Sequence, residues 1–191
     1  MPLDMSRVYK SEISAEDFAK DYSKEDLLKL TNESIDYMRD LIADLSDAQI
    51  TFDPVDEGAN DPDAVEGEEG IGWSLAHIIA HVTASSEEGA AFSSVLARGH
   101  AQEERPRYET PWRDITTKAQ CILRLEESRR MRHAFLLTWP AEPHLDVYRV
   151  ASERFTAKFG KMNAPAAFLF GLAHEFGHHG QMAEVKAQAT K

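Results

Sequence analysis

The stretch His174-Glu175-Phe176-Gly177-His178-His179-Gly180-Gln181 places two histidines four residues apart near the end of the chain. Side chains at positions i and i+4 of a helix lie on one face, so His174 and His178 can bind the same metal ion. An upstream stretch, Trp73-Ser74-Leu75-Ala76-His77-Ile78-Ile79-Ala80-His81, carries two more histidines. If His174, His178 and one histidine of the upstream stretch act as ligands, the two helices hold a metal between them. One coordination position is then left open for chemistry.

Helical geometry predicts which residues around His174 face the core and which face solvent, because successive residues turn by about 100° around the helix axis. His174 and His178 share a line with apolar residues before and after them, which predicts that this line faces the core. His179 points away from that line and is expected to face solvent. Glu175 lies about 100° off the line, and we interpret it as a solubilising surface residue.

The upstream helix supplies the third ligand. Its buried face is formed by Leu75, Ile78, Ile79 and Val82. His81 lies at the border of that face, whereas His77 lies nearer the outside, so His81 is the better candidate. Glu88 has nearly the phase of His81, which allows it to be an extra ligand, a residue that supports the ligands, or a surface carboxylate.

A polar strip interrupts the third predicted helix, where Glu126, Arg129 and His133 share the phase of Ile115 and Ile122. Buried polar groups need partners. The strip, with Arg129 and His133, therefore either lines a substrate cavity or indicates an offset of the helix phase. Taken singly, the remaining histidines are interpreted as ordinary surface or partly buried residues: His100, His133 and His144.

Hydrophobic periodicity predicts four helices, at about residues 24–45, 74–98, 114–138 and 164–187. Ser23 with Asp26 is an N-terminal capping signal for the first helix, and Gly99 closes the second. Asn163 caps the fourth, which tolerates Pro165 in its first turn. Residues 147–155 are ambiguous, and the rest of the chain has no convincing strand pattern.

Length and composition restrict the class of protein. A chain of 191 residues suffices for one domain with a full core, so we predict a single all-α domain over 1–191, with its core at 24–188. The net charge of −12 argues against a nucleic-acid partner, and no apolar stretch is long enough for a membrane span. The start of the chain has no secretory signal, and the single cysteine fits a cytoplasmic location.

Residues 53–70 carry eight carboxylates and neither lysine nor arginine. Such a block is typical of a solvated loop. Its position just before Trp73 places negative charge near the mouth of the predicted site. That charge would disfavour an anionic cofactor unless the loop folds away.

His174-Glu175-Phe176-Gly177-His178 also satisfies H-E-x-x-H, the pattern of zinc peptidases in which the glutamate is the general base. The context differs from theirs, because little chain follows His178 to supply a further ligand or supporting turn. A metal-dependent hydrolase is therefore an alternative to the main interpretation.

At these residues the chain resembles the DinB/YfiT-like superfamily. The stretch 73–81 is similar to its second-helix motif, in which a tryptophan precedes the ligand histidine by eight residues. His174-x-x-x-His178-x-Gly180-Gln181 is similar to its fourth-helix motif, H-x-x-x-H-x-G-Q. The resemblance implies a four-helix bundle with one long crossover, a divalent metal held by His81, His174 and His178 near one end, and a homodimer.

Members of this family include metal-dependent thiol transferases and isomerases that use low-molecular-weight thiols. We therefore expect a metal-dependent enzyme that acts on a small molecule, with zinc, nickel or iron at the site. Four residues are expected to line the pocket or support the ligands: Glu88, Arg129, His133 and Gln181. A different class of protein, a stress-associated binding module with a structural metal, remains an alternative. A closed, dry site would favour the binding module, and an open one would favour the enzyme.

Overall fold

The computed structural model describes residues 3–59 and 66–191, and within these ranges every regular element is a helix. In chain order they are α1 (Ser6–Tyr9), α2 (Ala15–Ala19), α3 (Lys24–Ile42), α4 (Asp47–Ile50), α5 (Leu75–Ala97), a 3₁₀ turn (Trp112–Asp114), α6 (Lys118–Leu137), α7 (Glu153–Phe159) and α8 (Ala164–Ala189). The predicted all-α fold is confirmed. Residues 60–65, the middle of the predicted acidic loop, lie outside the described residues.

The caps predicted from the sequence set three helix ends. The Ser23 hydroxyl accepts a hydrogen bond from the Asp26 backbone N–H, and the Asp26 carboxylate accepts one from the Ser23 backbone N–H, so α3 begins at Lys24. Asn163 caps α8 through the backbone N–H of Ala166. Gly99 follows α5 with a φ of 88°, a conformation that favours glycine.

Two boundaries differ from the prediction because further capping residues intervene. The first predicted helix stops at Ile42, since Ser46 and Gln49 cap each other and begin the separate helix α4. The third begins at Lys118, since Thr117 and Gln120 form the capping box there. The ambiguous residues 147–155 form no strand, and α7 begins within them.

Contacts between successive positions of neighbouring helices set the directions of the four long helices. They pair Ser34 with His179 and Leu41 with Lys186 (α3 and α8), Asn32 with His133 and Ala43 with Lys118 (α3 and α6), Glu87 with Arg124 and Ser94 with Thr138 (α5 and α6), and Gly89 with Ala167 and His81 with His174 (α5 and α8). Helices α3 and α8 therefore run in one direction, and α5 and α6 in the other. Because α5 and α6 are consecutive but parallel, residues 98–117 return along the length of the helices as a long crossover.

Two glycines bring α5 and α8 together along the most extensive helix contact. A Cβ atom on Gly89 would lie 2.7 Å from the carbonyl oxygen of Ala167, and one on Gly171 would lie 2.7 Å from that of Ser85. Only glycine permits such an approach of the two backbones. The close contact holds the histidines of α5 near those of α8.

Apolar side chains from all four long helices fill the interior. One buried cluster includes Ile35, Met38, Ile79 and Met182, and another includes Leu27, Phe168 and Leu172. Each such side chain contributes roughly 1.5–3 kcal/mol on burial. Among the described residues, no helix has the length and apolar character that crossing a membrane requires.

Candidate metal centre

Three half-buried histidines converge between α5 and α8. The Nε2 atoms of His81 and His174 are 2.8 Å apart. One ring nitrogen from each of His81, His174 and His178 lies within 4.8 Å of the other two. The structure thus brings together the three residues that the sequence predicts as ligands.

Hydrogen bonds orient the rings of His178 and His81. Nδ1 of His178 lies 2.6 Å from Oε1 of Gln181, an acceptor, so Nδ1 carries the proton and Nε2 keeps its lone pair. Nδ1 of His81 lies 3.5 Å from Oε1 of Glu109, which leaves Nε2 of that ring facing His174. This is the arrangement in which a metal-binding histidine donates its other N–H to a carboxylate or amide.

The environment keeps two of the rings neutral near pH 7. Burial, and to a smaller extent the neighbouring rings of His178 and His81, lower the pKa of His174 to about 3. Burial also lowers the pKa of His178, against the opposing effect of its hydrogen bond to Gln181. Neutral imidazoles offer a lone pair to a cation, and a metal requires that form.

Aromatic rings pack against the histidines from the side of Trp73. The Trp73 ring lies 4.7 Å from that of His81 and stacks at 5.9 Å on that of His178. His77, predicted nearer the outside, is half-buried and stacked between Trp73 and Trp112, at 4.4 and 4.5 Å. These contacts restrict the rotamers of the two ligand candidates that Trp73 touches.

A cavity of about 810 Å³ adjoins the histidines, and His81 and His174 form part of its wall. Ile71 and Arg105 on its outer side are exposed, so the cavity reaches the surface. One part of the wall is charged, with Glu68, Glu88, Arg105, Arg107, Glu109, Arg113 and Arg149, and another is apolar, with Phe92, Phe155, Ala167 and Phe170. The arrangement can hold a small molecule beside the three imidazoles.

The crossover supplies charged groups that the sequence prediction missed. Arg107 donates to Oε2 of Glu109 at 2.5 Å and to the Ser85 hydroxyl at 2.7 Å. Burial tends to raise the pKa of Glu109, but hydrogen bonds from His81 and Arg107 outweigh it and lower the pKa to about 2. A sequence signal exists: alternate residues of an extended segment face one side, which groups Arg105, Arg107 and Glu109.

Glu88 lies in the cavity wall, but the structure favours neither the extra-ligand nor the surface role. Its carboxylate is buried and accepts two hydrogen bonds from Arg105, at 2.7 and 2.9 Å. Guanidinium atoms of Arg107 and Arg149 lie 3.7 and 3.8 Å from its oxygens. Burial tends to raise the pKa of Glu88, but the arginines lower it, so it is a carboxylate that anchors cations.

Arg129 and His133 do not line this cavity, and the substrate-cavity interpretation of their strip is wrong. Arg129 donates to the side chains of Asn32 and Asp36 on α3, at 3.1 and 2.5 Å. His133 Nε2 lies 3.0 Å from the same Asn32 Oδ1. The strip faces α3, and Ile115, which the prediction grouped with it, precedes α6 and is not part of that helix.

Glu175 and His179 also depart from the prediction that they face solvent. Glu175 is 0% exposed; its Oε1 accepts a hydrogen bond from Arg132 at 3.1 Å and its Oε2 one from Ser86 at 2.9 Å. His179 is half-buried against α3, with Nε2 3.0 Å from the Ser34 hydroxyl. The sequence prediction assumed that only one face of this helix is buried. That assumption fails because α8 packs against α3 as well as α5, so several of its faces are covered.

Comparison with known proteins agrees with the two motifs. A family model described as the DinB superfamily matches residues 30–182, a range that includes α5, α6 and the three histidines. Searches among curated proteins and among solved structures found no match. Because the family model covers most of the chain, the resemblance inferred from the histidine motifs is confirmed, and this protein belongs to the DinB superfamily.

Proposed function

We propose that this protein is a metal-dependent enzyme, in which His81, His174 and His178 hold a divalent ion beside the substrate cavity. The observation that carries the proposal is the convergence of three imidazoles, two of which, those of His81 and His174, form part of the wall of an open cavity. In the finer proposal, a cytoplasmic homodimer transfers a low-molecular-weight thiol to a small molecule, or uses that thiol to isomerise it. The family membership supports this finer proposal without specifying the reaction.

The donor set fits a divalent metal. Three nitrogen ligands from the protein, with a further position open, are typical of catalytic rather than structural sites. Nδ1 of His178 is hydrogen-bonded to Gln181 and Nδ1 of His81 faces Glu109 and Arg107, so the Nε2 atoms of both rings point inward. Imidazole suits zinc, nickel and iron alike, so the donors do not distinguish these metals.

A bound divalent ion would lower the pKa of a water or thiol that it contacts, and so supply a nucleophile near neutral pH. The chain offers no thiol of its own for this step, because its single cysteine, Cys121, is fully buried in α6. Burial raises the pKa of Cys121 to about 12. The nucleophile must therefore enter through the cavity, which is consistent with an external thiol.

The hydrolase alternative loses its general base. A peptidase-type mechanism needs Glu175 within reach of a water at the metal. Both oxygens of Glu175 are instead engaged by Arg132 and Ser86 in the core. The binding-module alternative predicts a closed, dry site, whereas His81 and His174 line a cavity that reaches the surface.

Zinc titration of metal-free protein tests the ligand set. The wild type should bind one zinc per chain, and His178→Ala should lose tight binding while its far-ultraviolet circular dichroism remains helical. His179→Ala is the matched control, because His179 neighbours His178 in α8 but contacts Ser34. Equal zinc affinity in the two variants would reject the proposed ligands.

A conjugation assay then tests the reaction class. Zinc-, nickel- and iron-loaded protein should couple a thiol from a low-molecular-weight panel to an electrophile, and metal-free protein should not. Loss of thiol consumption in His178→Ala, but not in His179→Ala, would link the activity to the histidines. Activity that survives metal removal would contradict a metal-dependent enzyme.

A further inference from the structure

Apart from the pair Glu68 and Arg113, the charged part of the cavity wall contains three arginines and two carboxylates. Arg105 and Arg107 come from the crossover, and Arg149 comes from the segment between α6 and α7. Glu88 accepts two hydrogen bonds from Arg105, and Glu109 accepts one from Arg107. Among the described residues of this group, three cations face two anions, which leaves one positive charge in excess.

Arg149 carries the excess charge. Its Nη2 atom lies 3.8 Å from Oε1 of Glu88, and that oxygen already accepts a hydrogen bond from Arg105. Within the described part of the chain, Arg149 Nε is buried and has no hydrogen-bond acceptor. Burial lowers the pKa of Arg149 and Glu88 opposes that effect, as expected for a cation that has lost water and gained little in exchange.

The backbone and a ring hold this side chain in place. The Arg149 backbone N–H donates to the carbonyl oxygen of Met162 at 2.8 Å. The guanidinium lies 4.2 Å above the ring of Phe92 and 5.4 Å from that of Phe155. Stacking occupies the face of a guanidinium, whereas its in-plane N–H groups can donate two parallel N–H···O bonds, the geometry that a carboxylate matches.

The apolar part of the cavity begins at the same side chain. Phe92, Phe155 and Phe170 line it together with Ala167 and Gly171 of α8. A molecule that places an anionic group on Arg149 would therefore lay an apolar body against these rings. Near the mouth, Glu68 of the acidic segment pairs with Arg113, so its charge is compensated and does not repel an anion.

We propose that the cavity binds an organic carboxylate with an aromatic or other apolar body, and that Arg149 is the anchor of the carboxylate. The proposal rests on the proposed function, since it names the class of small molecule held beside the histidines. One excess positive charge favours a singly charged carboxylate over a phosphate ester, which carries close to two charges at neutral pH. Arg107 is already paired with Glu109 in the cavity wall, so we do not assign it as the anchor.

Calorimetric titration with three probes that share a phenylethyl group tests this assignment: 3-phenylpropionate, the neutral 3-phenylpropionamide, and 2-phenylethyl phosphate. Wild-type protein should bind the carboxylate more tightly than the amide or the phosphate ester, with and without zinc. Arg149→Met should weaken carboxylate binding by about 10- to 100-fold, as expected when a charged hydrogen-bond partner is lost. It should leave amide binding unchanged.

Arg130→Met is the matched control, because Arg130 lies on the exposed side of α6 and outside the cavity wall. It should bind all three probes like the wild type. Arg149→Lys, which keeps the charge but not the paired donors, should show an intermediate loss. This variant keeps the test decisive if Arg149→Met fails to fold.

Several results would overturn the assignment: no saturable carboxylate binding, equal affinity for carboxylate and amide, tighter binding of the phosphate ester, or wild-type affinity in Arg149→Met. Zinc stoichiometry on the same samples separates this outcome from the proposed function. If zinc does not bind but metal-free protein shows the Arg149-dependent preference, the carboxylate site stands and the metal-enzyme proposal fails.

Discussion

Neighbouring residues of α8 lie in opposite environments: His174 borders the cavity, whereas Glu175 is sealed against α5 and α6. On the cavity side, the imidazoles of His174 and His178 face His81, and the hydrogen bond of His178 Nδ1 to Gln181 leaves Nε2 of that ring available. On the sealed side, Glu175 is neutralised by Arg132. A short pattern such as H-E-x-x-H therefore specifies chemistry only when the packing of each helix face is known.

The two sides also differ in what their polar groups do for the fold. Arg132 and Glu175 are both 0% exposed, so each depends on the other for compensation of its charge. The histidines of the cavity side are half-buried and can exchange protein contacts for water or metal. We expect substitutions on the sealed side to affect stability, and substitutions on the cavity side to affect binding.

Glu175→Ala should produce the largest loss of stability. It leaves the Arg132 guanidinium buried without its carboxylate, which typically costs about 3–5 kcal/mol of unfolding free energy. Urea denaturation would measure the loss, with Glu184→Ala as control, since Glu184 is exposed on the same helix and should change stability by under about 0.5 kcal/mol.

The double variant Glu175→Leu/Arg132→Met sharpens this test. Because both charges are removed together, it should recover much of the stability lost in Glu175→Ala. A Glu175→Ala protein as stable as Glu184→Ala would contradict the sealed placement of the glutamate and would revive a role for it at the metal.

Gly171→Ala should have a smaller effect on stability than Glu175→Ala, but it should also weaken zinc binding. Its Cβ would lie 2.7 Å from the Ser85 carbonyl oxygen, so α5 and α8 must separate, at about 1–3 kcal/mol. That separation moves His81 away from His174, so zinc affinity should fall as well. Gly177→Ala is the control, because a Cβ there has no neighbour within 4 Å, and it should stabilise α8 by about 0.5–1 kcal/mol. Equal stability of the two variants in thermal unfolding would show that the helices do not touch at Gly171.

The smallest expected effect concerns pH and a histidine outside the cavity. Burial lowers the pKa of His133 below its ordinary 6.5, helped by Arg129 and Arg132. Below about pH 6.5 the unfolded chain takes up a proton that folded His133 resists, so stability falls as the pH drops. In metal-free protein, His133→Gln should therefore lose less stability between pH 7 and 5 than the wild type. His100→Gln, at an exposed position, should follow the wild type, and a His133→Gln profile that also does so would remove His133 from the pH response.

Periodicity and caps predict most of the helical fold, because the ends of α3 and α8 depend on residues adjacent in sequence, such as Ser23 and Asn163. The pair His174 and His178 was predictable for the same reason, since one helix turn sets their spacing. The short helices α1, α2 and α7 were not predicted, because each is too short to show a helical period.

The rest of the candidate site depends on distant segments that meet only in the folded chain. Glu109 and Arg107 reach His81 through the crossover, and Arg149 reaches Glu88 from the segment before α7. The alternation of Arg105, Arg107 and Glu109 groups these residues with one another, but neither segment has a pattern that predicts its partner on α5. The environment of Glu175 likewise depends on Arg132, which the sequence could not place next to it.

The most direct test of the metal centre is a crystal structure of the zinc-loaded protein. We expect one zinc ion with ring nitrogens of His81, His174 and His178 at about 2.0–2.1 Å, and a fourth position that faces the cavity. Glu175 should remain hydrogen-bonded to Arg132. A zinc ion that contacts Glu175 directly or through a water, or that takes His179 in place of His178, would contradict the proposed metal centre.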